Sequence, residues 1–404
     1  MRALDWLNDK LTRVTSNNRF LPEIDGLRFA AIMSVLVFHL HGLYFSKHQA
    51  SWAGGGVVGF FNHMVFQGYF GVQLFFVISG FILCLPMAEH NLLRQGQWSL
   101  KKYLLRRVTR LEPPFIANLL IMAAIQLLVA PDRWRGIERF LSASTYTHMF
   151  FYGHPSEINW ASWSLEIEVR FYLTAPLLAC VFLLRPRWLR VGLIFGAIVA
   201  LTLLPYNERT LTSQLRYFLV GFLLVDMYLV DWRGQPAKSR LWDIVGACTW
   251  LSLPFCIADA WALTPVWLLV CYVAVFRGQV LSRIFAYRWI TAVGGMCYTI
   301  YLYHNTMISW LERWGRQFSE AIGTSGLGWL VSPIQMDRLA PMDLLKGVVL
   351  LAIVLVVSSL LFVALEKPFM RRDWPQRLWG FAKRLFAPPT AKASVELEEA
   401  DARK

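Results

Sequence analysis

Three groups of residues put chemically capable side chains where an apolar chain has little reason to keep them. The first is Ile24-Asp25-Gly26-Leu27-Arg28, followed after ten further residues by His39. Eleven residues at 100° each make about three turns plus 20°, so on a helix Arg28 and His39 share one face, about 16 Å apart along the axis. His39 stands between Phe38 and Leu40 inside an apolar run. A histidine there prefers to be neutral and keeps one ring nitrogen free to take a proton, as a general base must. Position alone allows an interhelical hydrogen bond for His39 and a lipid-phosphate contact for Arg28 equally well.

The second group is the basic run Lys101-Lys102-Tyr103-Leu104-Leu105-Arg106-Arg107-Val108-Thr109-Arg110, which leads into Pro113-Pro114. Arg106 and Arg110 share a helix face, with Arg107 beside them. Guanidinium forks match phosphate geometry, although a plain juxtamembrane anchor reads the same way. The third group lies between Trp160 and Tyr172, where Ser164, Glu168 and Tyr172 recur every four residues and form a polar stripe. Trp160 and Trp163 mark a membrane interface. A carboxylate inside a span is costly, so Glu168 is a candidate functional group, paired with Arg170, His39 or another helix. Gly71, Ser79 and Gly80 permit close helix approach, and the polar residues from Tyr298 to His304 and Asp226 read as structural.

The elements that must hold these groups are membrane helices. Of the 404 residues, 56% are hydrophobic and 16% charged, and the mean hydropathy is +0.43. A soluble globular enzyme does not have that composition. Apolar windows fall near residues 27–46, 67–87, 113–130, 164–184, 191–205, 214–230, 242–258, 264–276, 289–309 and 346–365. The expected fold is therefore an all-α, polytopic integral membrane bundle of about ten transmembrane helices. The windows near 191, 242 and 264 are short or proline-interrupted, which leaves room for a re-entrant segment.

With the N-terminus cytoplasmic, roughly 29 of the 40 Lys and Arg fall inside, so both termini are expected to be cytoplasmic. The net charge of +14 is spread between apolar windows, which favours membrane topology over nucleic acid as its cause. Six single cysteines show no metal-binding or disulfide spacing, and residues 1–20 lack the apolar core of a cleavable signal. The chain then divides into a cytoplasmic segment 1–20, a membrane domain 21–372 and a tail 373–404 expected to be largely disordered. The sequence shows no internal repeat of the kind common in transporters.

From about Arg19 to Arg372 the chain resembles the acyltransferase family 3 of polytopic membrane acyltransferases, which modify polysaccharides and other surface glycans. The resemblance is carried by Arg28 and His39 with ten residues between them, by Gly71 to Phe81, and by Arg106-Arg107-Val108-Thr109-Arg110. Trp163-Ser164-Leu165-Glu166-Ile167-Glu168 with Phe171-Tyr172, Tyr298 to His304, and Glu366-Lys367-Pro368 extend it. Arg170 departs from the glutamine often found in that family, and Tyr217 stands where an acid is common.

The resemblance implies a protein of the cytoplasmic (inner) membrane, with no permanently bound cofactor and no metal. Its donor would be cytoplasmic acyl-CoA, acetyl-CoA foremost, and its acceptor a hydroxyl of a cell-surface or exported glycan such as an exopolysaccharide, free or lipid-linked. In that reading His39 is the general base, Glu168 orients it or binds the acceptor, Arg28 assists at the entrance, and Arg106, Arg107 and Arg110 hold the CoA phosphates. No hydrolase-like domain follows the membrane part, so acceptor handling is expected from that part or from homo-oligomer or polysaccharide-assembly partners. The competing readings are a transporter or flippase for a lipid-linked glycan or small anion, and an O-acyltransferase with a small-molecule or lipid acceptor.

Overall fold

The computed structural model describes residues 2–14, 20–44, 56–129, 136–322, 341–371, 374 and 376. Among them there is no β-strand, only an isolated bridge between Ser239 and Gly278. A short amphipathic helix, α1 (Arg2–Leu11), precedes α2 (Pro22–Tyr44), whose first residue is a proline with no N–H to leave unpaired. Next come α3 (Gly56–Phe66), α4 (Gly71–Leu93) and α5 (Leu100–Val129). The short helices α6 (Ile137–Ser144) and α7 (His148–Tyr152) lead to α8 (Ser162–Leu178), α9 (Arg187–Leu203) and α10 (Leu211–Asp226). The chain continues through α11 (Arg240–Asp259), α12 (Thr264–Arg277), α13 (Val280–Phe285) and α14 (Arg288–Gly295) to α15 (Cys297–Ile322) and α16 (Pro341–Leu361).

Among the described residues, each of the ten apolar windows falls largely on helix. Among the described residues six stretches are long and apolar enough to cross a membrane: Pro22–His41, Gly56–Leu93, Leu100–Leu128, Leu211–Asp231, Arg240–Asp259 and Leu345–Met370. The helices at the other windows fall short for visible reasons. α8 and α9 have 17 residues each, α12 has 14, and α15 carries a polar second half. The windows near 191, 242 and 264 form continuous helices. The tail from residue 377 onward lies outside the described residues.

Two prolines in α5 extend the arginine-bearing face without breaking the helix. Proline has no N–H, so Pro113 releases the Thr109 carbonyl, which accepts from Trp374 Nε1 at 3.0 Å. Pro176 in α8 likewise releases the Tyr172 carbonyl, which accepts from Tyr103 Oη at 3.1 Å. The second bond ties α5 to α8, the helix that carries Glu168.

Close packing fixes the remaining positions. A Cβ on Gly80 would run into the Phe218 carbonyl, and one on Gly221 into the backbone of α4, so α4 and α10 meet backbone to backbone. Phe171 of α8 stacks on Phe218 at 3.8 Å between ring centroids, which seats α8 on the same pair. Gly294 of α14 presses on the Asp25 backbone in the same way. Asp226 is structural, as its position suggests: it accepts from Arg190 Nε at 2.6 Å and Arg187 Nε at 2.9 Å.

Candidate active site

Among the described residues, two cavities with charged and polar walls lie within the bundle. The first, of about 920 Å³ to its open mouth, collects Arg28, Arg107, Arg110, Ser79, Glu168 and Glu366. Arg28 from α2 is held there by the fully buried Asp25, which accepts from Arg28 Nη1 and, at 2.7 Å, from Arg13 Nε. One carboxylate thus pairs with two guanidinium groups and leaves one net positive charge, which makes an arginine tolerable so deep in the fold. Burial, and then the neighbouring charge of Arg28, holds the Arg13 guanidinium below its ordinary pKa.

Helix arithmetic explains which arginines of the basic run reach this cavity. Tyr103, Arg107, Arg110 and Leu111 fall within one angular sector of α5, and the last three line the cavity. Arg106 stands at the edge of that sector; it is exposed and donates from Nε to its own Lys102 carbonyl at 3.2 Å. Arg107 lies 5.8 Å from the ring centroids of both Tyr103 and Tyr172, and its Nε is buried with no hydrogen-bond partner among the described residues. A half-buried guanidinium whose Nε–H has no partner suits an anionic ligand.

Glu168 accepts from Ser79 Oγ at 2.6 Å, joining α8 to α4. Arg170 instead faces Glu166, at 3.5 Å, and the Glu166 carboxylate also accepts from the Met149 backbone N–H at 3.1 Å. Glu366, reached through a π-helical turn at Phe362–Glu366, accepts from Thr299 N at 3.0 Å and from Thr299 Oγ1. In the sequence Glu366 stands only as part of a motif; the signal for it is a carboxylate directly after an apolar span.

The second cavity, of about 990 Å³, takes His39, Tyr69, Gln73, Trp160, Trp163, Glu208 and His304. His39 is half-buried, and the His304 ring lies beside it, 5.0 Å away between centroids. The two cavities share Val72 and Tyr301 as a common wall. Tyr301 is pinned there by a 2.6 Å hydrogen bond between its hydroxyl and Ser164 Oγ. Arg28, Arg107, Arg110 and Glu168 are therefore gathered on one side and His39 on the other. Of the partners open to Glu168 in the sequence, Arg170, His39 or another helix, the structure gives it another helix, α4 through Ser79, in the first cavity.

The rim of the second cavity is anchored to the bundle. Asn159 Nδ2 donates to Asn118 Oδ1 at 2.7 Å and to the Leu302 carbonyl at 3.0 Å, which fixes the turn that bears Trp160. Nearby, the fully buried His148 meets Ser142 Oγ through Nδ1 at 2.9 Å, and burial holds its imidazole below the ordinary pKa. The described residues contain no cluster of His, Cys, Asp and Glu able to hold a metal ion.

The profile of a family described as acyltransferase domain matches residues 21–366. The chain is 25% identical over 340 residues to the peptidoglycan O-acetyltransferase OatA of Listeria monocytogenes, covering 72% of this chain and 50% of that protein. It is 22% identical over 328 residues to the O-acetyltransferase OatA of Staphylococcus aureus (strain NCTC 8325), covering 72% of this chain and 51% of that one. The chain thus spans about half the length of these curated relatives. No solved structure matches it.

Proposed function

Because the chain belongs to the acyltransferase domain family, whose profile covers residues 21–366, we propose that it is a membrane O-acyltransferase drawing its acyl group, acetyl foremost, from cytoplasmic acyl-CoA. The acceptor is a hydroxyl of a surface or exported glycan. The observation that carries this reading is the back-to-back pair of cavities, one bearing the arginines and the other His39, divided by Tyr301 and Val72.

In this reading Arg107 and Arg110 take the CoA phosphates in the first cavity and Arg28 supports them. The pantetheine arm is long enough for the about 16 Å of helix rise that separates Arg28 from His39, and in this reading it passes between Val72 and Tyr301 to bring the thioester to His39. His39 takes the proton of the acceptor hydroxyl as that oxygen attacks the thioester carbon; the carbon–sulfur bond breaks and CoA departs. Glu168 helps to shape the donor side, where its carboxylate is fixed by Ser79. A glycan acceptor suits the second cavity, where Trp160, Trp163 and Tyr69 offer apolar ring faces beside Glu208 and Gln73. The name of the Listeria relative, a peptidoglycan O-acetyltransferase, points to the same acceptor class. The bundle then sits in the cytoplasmic membrane with its arginine side inward, as the positive-inside rule favours.

The test is acetyl-CoA consumption by the purified protein in proteoliposomes, with and without an oligosaccharide acceptor. General-base help is typically worth roughly 10²- to 10⁴-fold in rate, so His39→Ala should lose transfer by that order while still inserting and purifying normally. Full turnover in His39→Ala would remove the base assignment. Transport of the glycan with no loss of thioester would favour a flippase instead.

A further inference from the structure

The sequence reads His304 as a structural intrusion, and its surroundings argue otherwise. The side chain is fully buried in the wall of the second cavity. Its Nδ1 lies 2.7 Å from the Tyr301 carbonyl and 3.1 Å from the Ile300 carbonyl. A carbonyl only accepts, so Nδ1 carries the ring proton and Nε2 of the neutral ring is left as an acceptor. That Nε2 is buried and has no hydrogen-bond partner among the described residues. A buried acceptor without a donor is costly and calls for an explanation.

The ring beside it belongs to His39, 5.0 Å away between centroids with the planes at 54°. A neutral histidine acting as base needs its tautomer set by a second group, and Glu168 stands in the other cavity. We propose that His304 is the positioning residue for His39: its Nε2 accepts the His39 N–H and leaves the other His39 nitrogen turned to the acceptor hydroxyl. This rests on the reading of His39 as the base.

The step then balances without a further reactant. The hydroxyl proton passes to the free nitrogen of His39, and the hydroxyl oxygen bonds to the acyl carbon. The carbon–sulfur bond breaks, its electron pair leaves on sulfur, and the His39 imidazolium returns the proton to the departing thiolate. The His39–His304 hydrogen bond is strongest while His39 is cationic, so it favours the transition state over the ground state.

Two substitutions separate positioning from mere structure because they predict opposite orders. In His304→Asn the side-chain amide can still donate to the Tyr301 carbonyl, but nothing occupies the place of Nε2. In His304→Gln the longer amide oxygen reaches that place and accepts. With acetyl-CoA as donor and a panel of hexose and N-acetylhexosamine oligosaccharides as acceptors, His304→Asn should lose roughly 10²-fold in kcat with the donor KM unchanged. His304→Gln should stay within about tenfold of wild type, and His39→Ala combined with His304→Asn should be no slower than His39→Ala alone. Wild-type kcat in His304→Asn, a Gln variant slower than the Asn variant, or losses that multiply in the double variant would overturn the proposal. Should His39→Ala alone keep wild-type turnover, it is the base assignment that falls, and the proposal falls with it.

Discussion

Asp25 explains how Arg28 can stand in a spanning helix at all. Without that carboxylate, Arg28 and Arg13 would be two buried guanidinium groups repelling each other and the nearby Arg110. With it, Arg28 is held as a fixed cation on the cavity wall, a better support for a phosphate than a mobile surface lysine. The same logic separates the arginines of α5. Arg107, half-buried with an orphaned Nε, is available to a ligand, whereas the exposed Arg106 is already engaged with the Lys102 carbonyl of its own helix. Arg107→Ala is accordingly expected to raise the donor KM roughly 10- to 100-fold, the range for a lost charge-assisted hydrogen bond, while Arg106→Ala leaves it within about twofold. Initial-rate measurements across acetyl-CoA concentrations read both. Equal effects from the two variants would return the run to a general membrane anchor.

At the scale of elements, the site depends on how closely α4, α8 and α10 approach. Gly80 and Gly221 bring α4 and α10 into backbone contact, Phe171 stacks α8 against Phe218, and the Ser79–Glu168 hydrogen bond closes the triangle. A leucine at 221 has no space to enter, since its Cβ already meets backbone atoms of Val77, Gly80 and Phe81. Overpacking of this kind typically costs about 1–3 kcal/mol, and here it must push one helix away from another. Gly221→Leu should lower the thermal midpoint of the purified protein and reduce kcat, because separating α4 from α10 moves Ser79 away from Glu168. A variant with unchanged melting and unchanged rate would show that the contact is dispensable. Gly192 and Gly196 on α9 meet nothing within 4 Å, so alanine there should be silent in the same assays.

For the whole molecule, the charge asymmetry and the two cavities make one prediction together. The arginine cavity should open to the cytoplasm and the histidine cavity to the far side if, as the positive-inside rule assigns them, Arg94 to Arg110 and Arg277 to Arg288 face the cytoplasm. A single cysteine introduced at Arg94, in a background with the six native cysteines replaced, should be labelled by an impermeant maleimide only after the membrane is opened. One introduced at Arg209, on the rim of the histidine cavity, should be labelled in intact cells. The reverse pattern would invert the proposed route of the acyl group.

Much of this was legible in the residues because membrane burial writes itself into composition. The described parts of the ten apolar windows are largely helix, since a backbone in hydrocarbon must satisfy its own hydrogen bonds, and the cost of a charge among apolar residues marks out Arg28, His39 and Glu168 in the sequence. Periodicity also placed Arg28 and His39 on one stripe of α2. What periodicity cannot report is which helices face one another. The partition of that stripe by Tyr301, the turning of Glu168 to Ser79 and the approach of His304 to His39 each join residues more than 80 positions apart. Such pairings are set by glycine contacts, proline-released carbonyls and stacked aromatic rings between helices, interactions that leave no period in the sequence. The sequence by itself determined which ionisable side chains one membrane helix and its neighbours keep among apolar residues; only the tertiary structure decided that they occupy two chambers, because the wall between them comes from two other helices, α4 and α15.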